Sequence, residues 1–268
     1  MPPCHILTLG RVPYRQAWDL QAQIAAQVAA GTRAPALLLL EHPHTYTFGR
    51  RGQANNLLWE AAELERRGIE VHWVDRGGDV TYHGPGQLVG YPILPLAPRG
   101  LLAAAPNRSP RLPRADYVGY LRKLEKTLIR ALAELGVASG QIPGLTGVWV
   151  QPDVASRCPH CPPEARRQPA KIAAIGVKVD ARGVSRHGFA LNVNTDMQYW
   201  RGIRGCGLDY PVINLADLLS APPSMQTVIE KVVAAFGQVF GYEMTEDGGR
   251  ETEDRRLTVS TSQTSQTN

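Results

Sequence analysis

The chain has 268 residues, a formal net charge of +5 at pH 7, 43% hydrophobic residues and 20% charged residues. This composition is ordinary for a soluble globular protein and excludes the disordered and fibrous classes. The lack of a long apolar run, a signal-peptide pattern and a dense basic run predicts a cytoplasmic protein that binds neither membranes nor nucleic acids.

Predicted strands and helices alternate irregularly along the first half of the chain. A strand over residues 5–9 leads to a helix that opens at Pro13 and ends before Gly31. Further apolar and β-branched runs predict a short helix at 58–67 and strands at 37–40, 45–48 and 69–74. Several prolines then predict a loop over 99–114.

The second half opens with the clearest predicted helix, 116–136, which Asp116 can cap and Gly136 can end. We expect its charged residues, Glu125 and Lys126 among them, to face solvent. Further elements are predicted as a helix at 224–240 and strands at 145–150, 172–179 and 189–193. The pattern predicts an α+β fold with a mixed, largely antiparallel sheet packed with helices, in one domain over residues 1–244. Within it, the proline-rich segment 151–169 is expected to be an inserted surface loop, and the polar tail 245–268 to be disordered.

A glycine-rich segment at residues 76–87 lies between two predicted strands and contains Arg76 and His83. Glycine loses more backbone entropy on folding than other residues, so a cluster of glycines destabilises the chain unless it is used. The glycines let backbone amides approach a ligand closely, while Arg76 and His83 offer polar contacts. Composition alone leaves a binding loop and a structural turn cluster equally open.

Three groups of cysteine and histidine residues invite a chemical interpretation. Cys206 lies between two glycines, where little bulk shields its sulfur, although a lone cysteine is more often an inert buried residue. Cys158 and Cys161 have the spacing of half a zinc site, but no second pair of ligands follows, which favours a solvated loop. His42 and His44 are expected on the same side of a strand. Without a third ligand, a packing or hydrogen-bonding role is favoured for them over metal binding.

Several sequence blocks, in order along residues 5–220, resemble those of the lipoyl(octanoyl) transferase family. The string RGGDVTYHGPGQLVGY at residues 76–91 is similar to that family's signature. Further blocks agree with it at residues 39–50, 144–150 and 171–176. The segment from His187 to Asp196, followed by Cys206, resembles the one that leads to the family's catalytic cysteine, although Gly205 stands where the family usually has proline.

The resemblance implies a fold similar to that of biotin and lipoate ligases, and a ping-pong acyl transfer. In that reaction Cys206 takes an octanoyl group from acyl carrier protein and gives it to a lysine of a lipoyl domain. The acceptors implied are the lipoyl domains of 2-oxoacid dehydrogenase complexes and the glycine cleavage H protein. Lys171 is implied as the cation that stabilises the Cys206 thiolate and moves the proton. No cofactor and no metal is implied.

Residue by residue, the resemblance carries a substrate-binding role to three short runs: Arg76, Gly77, Gly78, Asp79, Val80, Thr81, Tyr82 and His83; Ala174, Ile175 and Gly176; Gly188, Phe189 and Ala190. Their small and apolar side chains suit a slot for an acyl chain. For Gly188 and Ala190, tight packing between strands stays open as the alternative. Two other functions also stay open, an ATP-dependent lipoate or biotin ligase, which needs no nucleophilic cysteine, and a noncatalytic acyl-binding module.

Overall fold

The computed structural model describes residues 1–97, 116–158, 160–205 and 210–247. Within these ranges the strands are β1 (Pro3–Arg11), β2 (Ala36–Glu41), β3 (Thr45–Phe48), β4 (Glu70–Trp73), β5 (Val80–His83), β6 (Gln87–Ile93), β7 (Gly140–Ile142), β8 (Leu145–Val150), β9 (Ala170–Val179), β10 (Ser185–Asn192) and β11 (Glu243–Glu246). The α-helices are α1 (Tyr14–Ala30), α2 (Ala61–Arg66), α3 (Tyr117–Glu134), α4 (Pro152–Ala155), α5 (Leu215–Leu218) and α6 (Met225–Phe240). Short 3-10 turns lie at Ala54–Asn56, Pro163–Arg166 and Met197–Gly202.

The described strands form one large sheet and one small sheet. The large sheet has the order β11-β1-β2-β6-β10-β9-β8-β7, in which β1 pairs in parallel with both β2 and β11 and the other neighbours are antiparallel. The small sheet has the order β4-β3-β5, with one parallel and one antiparallel pair. The prediction of an α+β fold with a mixed, largely antiparallel sheet is therefore confirmed.

Helices cover both faces of the large sheet because its central strands are apolar on both sides. Leu37 and Leu39 of β2 point into a core shared with α3 and α6, while Leu38 and Leu40 point into a second core with α1. This alternation follows from the two-residue period of a strand. The unbroken leucine run therefore predicts a strand that is buried on both faces, which is the environment of β2.

The longer helices begin and end at the residues that their capping chemistry favours. The Asp116 carboxylate accepts a hydrogen bond from the Gly119 amide at the start of α3, and the Ser224 hydroxyl accepts one from Thr227 at the start of α6. Gly31 ends α1 and Gly241 ends α6, both in the left-handed conformation that glycine adopts without strain. The described helices include none that is long and apolar enough to cross a membrane.

The prediction for Glu125 is wrong. It is on the core side of α3, fully buried, and its carboxylate accepts hydrogen bonds from Arg122, Gln141 and the amide of Gly147. Those three donors satisfy a charge that burial would otherwise destabilise strongly. Helix periodicity places the residue beside Leu124 and Leu128, but the sequence does not show the donors that make a buried carboxylate tolerable.

The segment 151–169 also differs from the expected solvated loop. It contains α4 and a 3-10 turn, and it buries Cys158 and Cys161, each 4% exposed, in the main core. Both thiols lie against the backbone carbonyl of Asp217, which gives them a hydrogen-bond acceptor inside the protein. Cysteine is among the most frequently buried residue types, so this burial is ordinary for the side chain.

Three further expectations concern the connections and ends of the chain. His42 and His44 lie between β2 and β3, outside both strands; His42 hydrogen-bonds to Val12 and Tyr91, and His44 to Tyr82. The predicted hydrogen-bonding role is thus confirmed, while the strand setting is wrong. The tail is predicted to begin at residue 245, but β11 continues through Glu246 because it pairs in parallel with β1. The predicted loop 99–114 and residues 248–268 lie outside the described residues.

Candidate active site

A cleft of about 1250 Å³ opens along β9 and β10, between the glycine-rich segment and the loops that follow β3 and β10. Its described lining includes Lys171 and every predicted substrate-binding residue except Tyr82. Pockets for small ligands usually measure about 300–1,000 Å³. This cleft can therefore hold an acyl chain together with part of the group that carries it.

Lys171 is held at the start of β9 from both sides of its backbone. Its amide donates to the carbonyl of Pro211 over 2.8 Å, and its carbonyl accepts from the amide of Ile213 over 3.1 Å. The side chain crosses the neighbouring strand β8, so that Nζ lies 4.6 Å from the centroid of the Trp149 ring. An ammonium over the face of an indole is attracted by the ring quadrupole. Trp149 therefore positions the Lys171 cation at the cleft.

Cys206 lies outside the described residues. The nearest described residues on either side of it in the chain, Gly205 and Tyr210, both line the cleft. The Tyr210 ring packs edge-on against Trp149, with 5.2 Å between the ring centroids. The residues on both sides of this segment therefore lie at the cleft, and Tyr210 contacts the same Trp149 ring that the Lys171 ammonium faces.

The glycine-rich segment is anchored by Arg76, which is 7% exposed. Its guanidinium donates to the Thr47 carbonyl over 2.6 Å and to the Thr47 hydroxyl over 2.9 Å. The Gly77 amide donates to the carbonyl of Val177 over 2.9 Å, which ties the segment to β9. A Cβ on Gly176 would lie 3.0 Å from the Gly77 carbonyl oxygen, so this close approach favours glycine. The segment is therefore both a packed turn and a wall of the cleft.

One predicted residue of β5 does not reach the cleft. Val80, Thr81 and His83 line the cleft, whereas Tyr82 is fully buried in the core of the small sheet and does not. His83 has both ring nitrogens near protein partners, Gln87 Oε1 at 2.9 Å and Thr47 Oγ1 at 3.3 Å. Burial, the nearby His42 and the Arg76 charge lower the pKa of His83 well below its ordinary value, so the imidazole is neutral near pH 7.

The other two predicted runs face each other across one hairpin. Ala174, Ile175 and Gly176 of β9 are the register partners of Ala190, Phe189 and Gly188 of β10. A Cβ on Gly188 would lie 2.1 Å from the carbonyl oxygen of Gly90, so that glycine is also needed for close packing of the strands. Gly188 therefore has both roles that the sequence left open: it allows close packing of the strands, and it lines the cleft.

Some lining residues were missed in the sequence, and His187 is the clearest of them. It has φ +56°, a left-handed conformation that non-glycine residues rarely adopt, and strain of this kind tends to collect at functional sites. Its Nε2 lies 2.8 Å from Asp75 Oδ1, and Gln21 accepts its backbone amide hydrogen over 2.7 Å. The family resemblance assigns a binding role to Gly188, the next residue in the chain. The position of His187 directly before Gly188 is the sequence signal that could have identified this histidine.

The charges around His187 fix the ionisation of Asp75. Burial raises the pKa of Asp75, but hydrogen bonds from His187 and Lys178 and the charge of Arg186 outweigh burial and hold this pKa well below its ordinary value. Burial lowers the pKa of His187, and Asp75 only partly opposes that effect. This inner end of the cleft is therefore a structural ion network next to a largely neutral imidazole. Within the described ranges, no group of three or more His, Cys, Asp or Glu side chains is arranged to hold a metal ion.

Comparison with known proteins gives consistent matches. The model of the lipoyl protein ligase A/B catalytic domain matches residues 13–237. An octanoyltransferase of Solibacter usitatus is 43% identical over 91% of this chain and 96% of its own length. An octanoyltransferase of Chloroflexus aurantiacus is 42% identical over 88% of this chain and 93% of its own length.

Solved structures of lipoate ligases have the same fold. A bipartite lipoate protein ligase from Thermoplasma acidophilum superposes with a TM-score of 0.67 at 16% identity, covering 95% of this chain and 90% of its own. A lipoate-protein ligase A bound with ATP gives a TM-score of 0.63 at 17% identity, over 95% and 92% of the two chains. The predicted likeness to the lipoate ligase fold is thereby confirmed.

Proposed function

The chain belongs to the lipoyl protein ligase A/B catalytic domain family, and from that premise we propose that it works as an octanoyltransferase acting on lipoyl domains. One observation carries the proposal: octanoyltransferases match about nine-tenths of the chain at 43% and 42% identity. The enzyme is accordingly an acyltransferase. The donor, the covalent intermediate and the individual acceptors are the finer parts of the proposal.

The proposed donor is the octanoyl thioester of acyl carrier protein, and the proposed nucleophile is Cys206. Its thiolate attacks the thioester carbonyl, the bond from that carbonyl to the carrier sulfur breaks, and the carrier leaves as a thiolate that takes up a proton. The octanoyl group is then held as a thioester on Cys206. Because one thioester replaces another, the step needs no ATP.

In the second step the ε-amine of a lysine on the lipoyl domain attacks the same carbonyl. The bond to the Cys206 sulfur breaks, an amide forms, and the amine loses the proton that the departing sulfur gains. The proposed acceptors are the lipoyl domains of 2-oxoacid dehydrogenase complexes and the glycine cleavage H protein. The cytoplasmic location predicted from the sequence stays a prediction.

Lys171 is the proposed proton carrier and the cation beside the thiolate. An unperturbed cysteine has a pKa of about 8.5 and is mostly protonated near neutral pH, so a neighbouring cation favours the reactive form. Support comes from the Lys171 ammonium over the Trp149 ring and from Tyr210 against the same ring. Each tenfold gain in thiolate population corresponds to about 1.4 kcal/mol.

The wall formed by Ala174, Gly176 and Ala190 suits the acyl chain. These residues are small, they lie on adjacent strands, and they line the cleft beyond Lys171. An apolar slot of this kind binds a saturated chain by the hydrophobic effect. Gly77 and Gly78 of the glycine-rich segment line the same cleft.

The test uses purified enzyme, octanoyl-acyl carrier protein and a lipoyl domain, without ATP. We expect the lipoyl domain to gain the mass of one octanoyl group, and Cys206→Ser to abolish this gain. Lys171→Met is expected to slow it strongly, because the cation and the proton carrier are both lost. Transfer that requires ATP and free octanoic acid, and that survives Cys206→Ser, would instead identify an ATP-dependent ligase and overturn the proposal.

A further inference from the structure

One side of the cleft mouth is built from two chain segments, residues 51–58 and 201–204. The amide of Leu58 donates to the carbonyl of Gly202 over 2.8 Å, and the amide of Arg204 donates to the carbonyl of Asn56 over 2.9 Å. The amide of Arg51 donates to the carbonyl of Gly78 over 3.0 Å, which joins the first segment to the glycine-rich wall. The two segments therefore present one continuous surface at the entrance.

Three arginines, Arg51, Arg201 and Arg204, lie on this surface, and we call them the arginine rim. All three are exposed and line the cleft. None forms an ion pair with a carboxylate among the described residues. By contrast, Arg66 pairs with Glu63 and Arg186 with Asp75. Exposed arginines without an acidic partner keep their charge available for a docking protein.

The acidic residues of the cleft do not cancel this charge. Asp79 accepts hydrogen bonds from the Gln53 and Val80 amides, and Asp196 accepts one from the Gln198 amide. The Asp217 carboxylate accepts one from the Asn214 amide. Asp79 also accepts one from the Asn56 side chain. These hydrogen bonds hold the three carboxylates in place and leave their negative charges, so the balance depends on the number of cations. The described cations that line the cleft outnumber these three carboxylates. The cations are Arg51, Arg76, Lys171, Arg201 and Arg204.

We propose that the arginine rim docks an acidic carrier protein that presents the acyl thioester on a phosphodiester-linked arm, an inference that rests on the proposed function. Arg204 precedes Cys206 by only two residues in the chain. A partner attracted to the rim therefore brings its arm to the part of the chain that carries the proposed nucleophile.

The chemistry of the two partners favours the donor over the acceptor at this surface. The donor carries an anionic phosphodiester on the same arm as the transferred group. The acceptor brings a lysine, which is cationic until it loses a proton and which the arginines repel. Charge complementarity mainly raises the association rate and selects the partner. The rim therefore acts in loading Cys206 rather than in discharging it.

The test compares two octanoyl donors in the loading step alone, with adduct formation followed by intact mass. One donor is octanoyl-acyl carrier protein and the other is the small, uncharged octanoyl-N-acetylcysteamine. The readout is the ratio of kcat/KM for the carrier to kcat/KM for the small thioester. A change in the reactivity of Cys206 affects both donors and leaves this ratio unaltered.

We expect Arg201→Glu/Arg204→Glu to lower the ratio by about tenfold or more at low salt, and Arg51→Glu to lower it by less. The matched control is Lys126→Glu/Arg130→Glu, which makes the same charge change on the exposed face of α3, away from the cleft, and is expected to keep the ratio. Added salt should reduce the ratio for the wild type and barely change it for the rim variant.

An unchanged ratio in the rim variant would overturn the docking surface while leaving the octanoyltransferase proposal intact. The same conclusion follows if the rim variant loads normally but fails to transfer to the lipoyl domain, since the rim would then dock the acceptor. If the wild type forms no adduct with either donor, the proposed function and the docking surface both fail.

Discussion

The Lys171 ammonium lies 4.6 Å from the centroid of the Trp149 indole, and the two residues are register partners on β9 and β8. Trp149 is 1% exposed, and its Nε1 has no hydrogen-bond partner among the described residues. The ring therefore acts on Lys171 through its face. This contact helps to fix the position of the Lys171 ammonium at the cleft.

Replacement of Trp149 tests that contact. Trp149→Phe keeps an aromatic face and gives up no hydrogen bond, whereas Trp149→Leu removes the face. A cation–π contact is worth about 0.5–2 kcal/mol, so we expect the Leu variant to load octanoyl about 2- to 30-fold more slowly than the Phe variant. The measurement is the loading rate per folded molecule, with thermal unfolding as the control for stability. Equal rates in the two variants would remove Trp149 as the positioning residue.

Glu125 stabilises the part of β8 that lies next to Lys171. Its buried carboxylate accepts the Gly147 amide over 3.1 Å, and a Cβ on Gly147 would lie 3.5 Å from Lys171 Cε. We expect Glu125→Ala to reduce the free energy of unfolding by about 2–4 kcal/mol, because the donors of Gly147 and Gln141 lose their acceptor. Denaturant titration measures this loss. The exposed neighbour serves as control, and Lys126→Ala should change stability by less than about 0.5 kcal/mol; a similar small effect for Glu125→Ala would contradict the account.

Asp75 makes stability depend on pH in a defined direction. Its pKa is lower in the folded chain than in the unfolded chain, where an aspartate carboxyl has a pKa of about 3.9. The carboxylate therefore stabilises the fold fully above about pH 4, and this contribution is lost as the pH falls through the native pKa. Asp75→Asn is expected to lower the free energy of unfolding most above pH 4 and progressively less below it. Urea titrations of both proteins across this range test the sign, and a difference that grows below pH 4 would be inconsistent with it.

The cysteines are expected to differ sharply in reactivity. Burial raises the pKa of Cys4 to about 12, and burial together with Cys158 raises the pKa of Cys161 to about 12. Because the thiolate is the reactive form, both should resist alkylation by iodoacetamide near neutral pH in the native protein. Cys206, as the proposed nucleophile, should react fast, and prior loading with octanoyl should protect it. Peptide mass mapping distinguishes the sites, and modification of Cys4 at the rate of Cys206 would count against the assignment.

Much of the fold was readable because local patterns and tertiary environment agree. The leucines of α3, its cap at Asp116, and the adjacent strands β9 and β10 all follow from spacing along a short stretch of chain. The partnership of β11 with β1 joins the two ends of the domain, and no local pattern reports it. The same limitation hid the donors around Glu125, which come from three different elements.

The candidate site likewise contains residues that the sequence indicated and residues that only the structure shows. A family-like string indicated Arg76 to His83 as one block, but Tyr82 packs into the core of the small sheet and does not line the cleft. The supporting role of Trp149 depends on β8 pairing with β9, and that of His187 on Asp75, which is distant in the chain. Sequence blocks can indicate which segments form a site. The residues that position its side chains come from other strands, and the pairing of the sheet brings them together.

The most direct test of the central claim is peptide mass mapping of the wild-type enzyme after incubation with octanoyl-acyl carrier protein alone. We expect one octanoyl group in thioester linkage to Cys206, which hydroxylamine releases and which passes to a lipoyl domain added afterwards. An enzyme that stays unmodified while it transfers octanoyl groups, or an adduct on another residue that passes to the lipoyl domain, would contradict it.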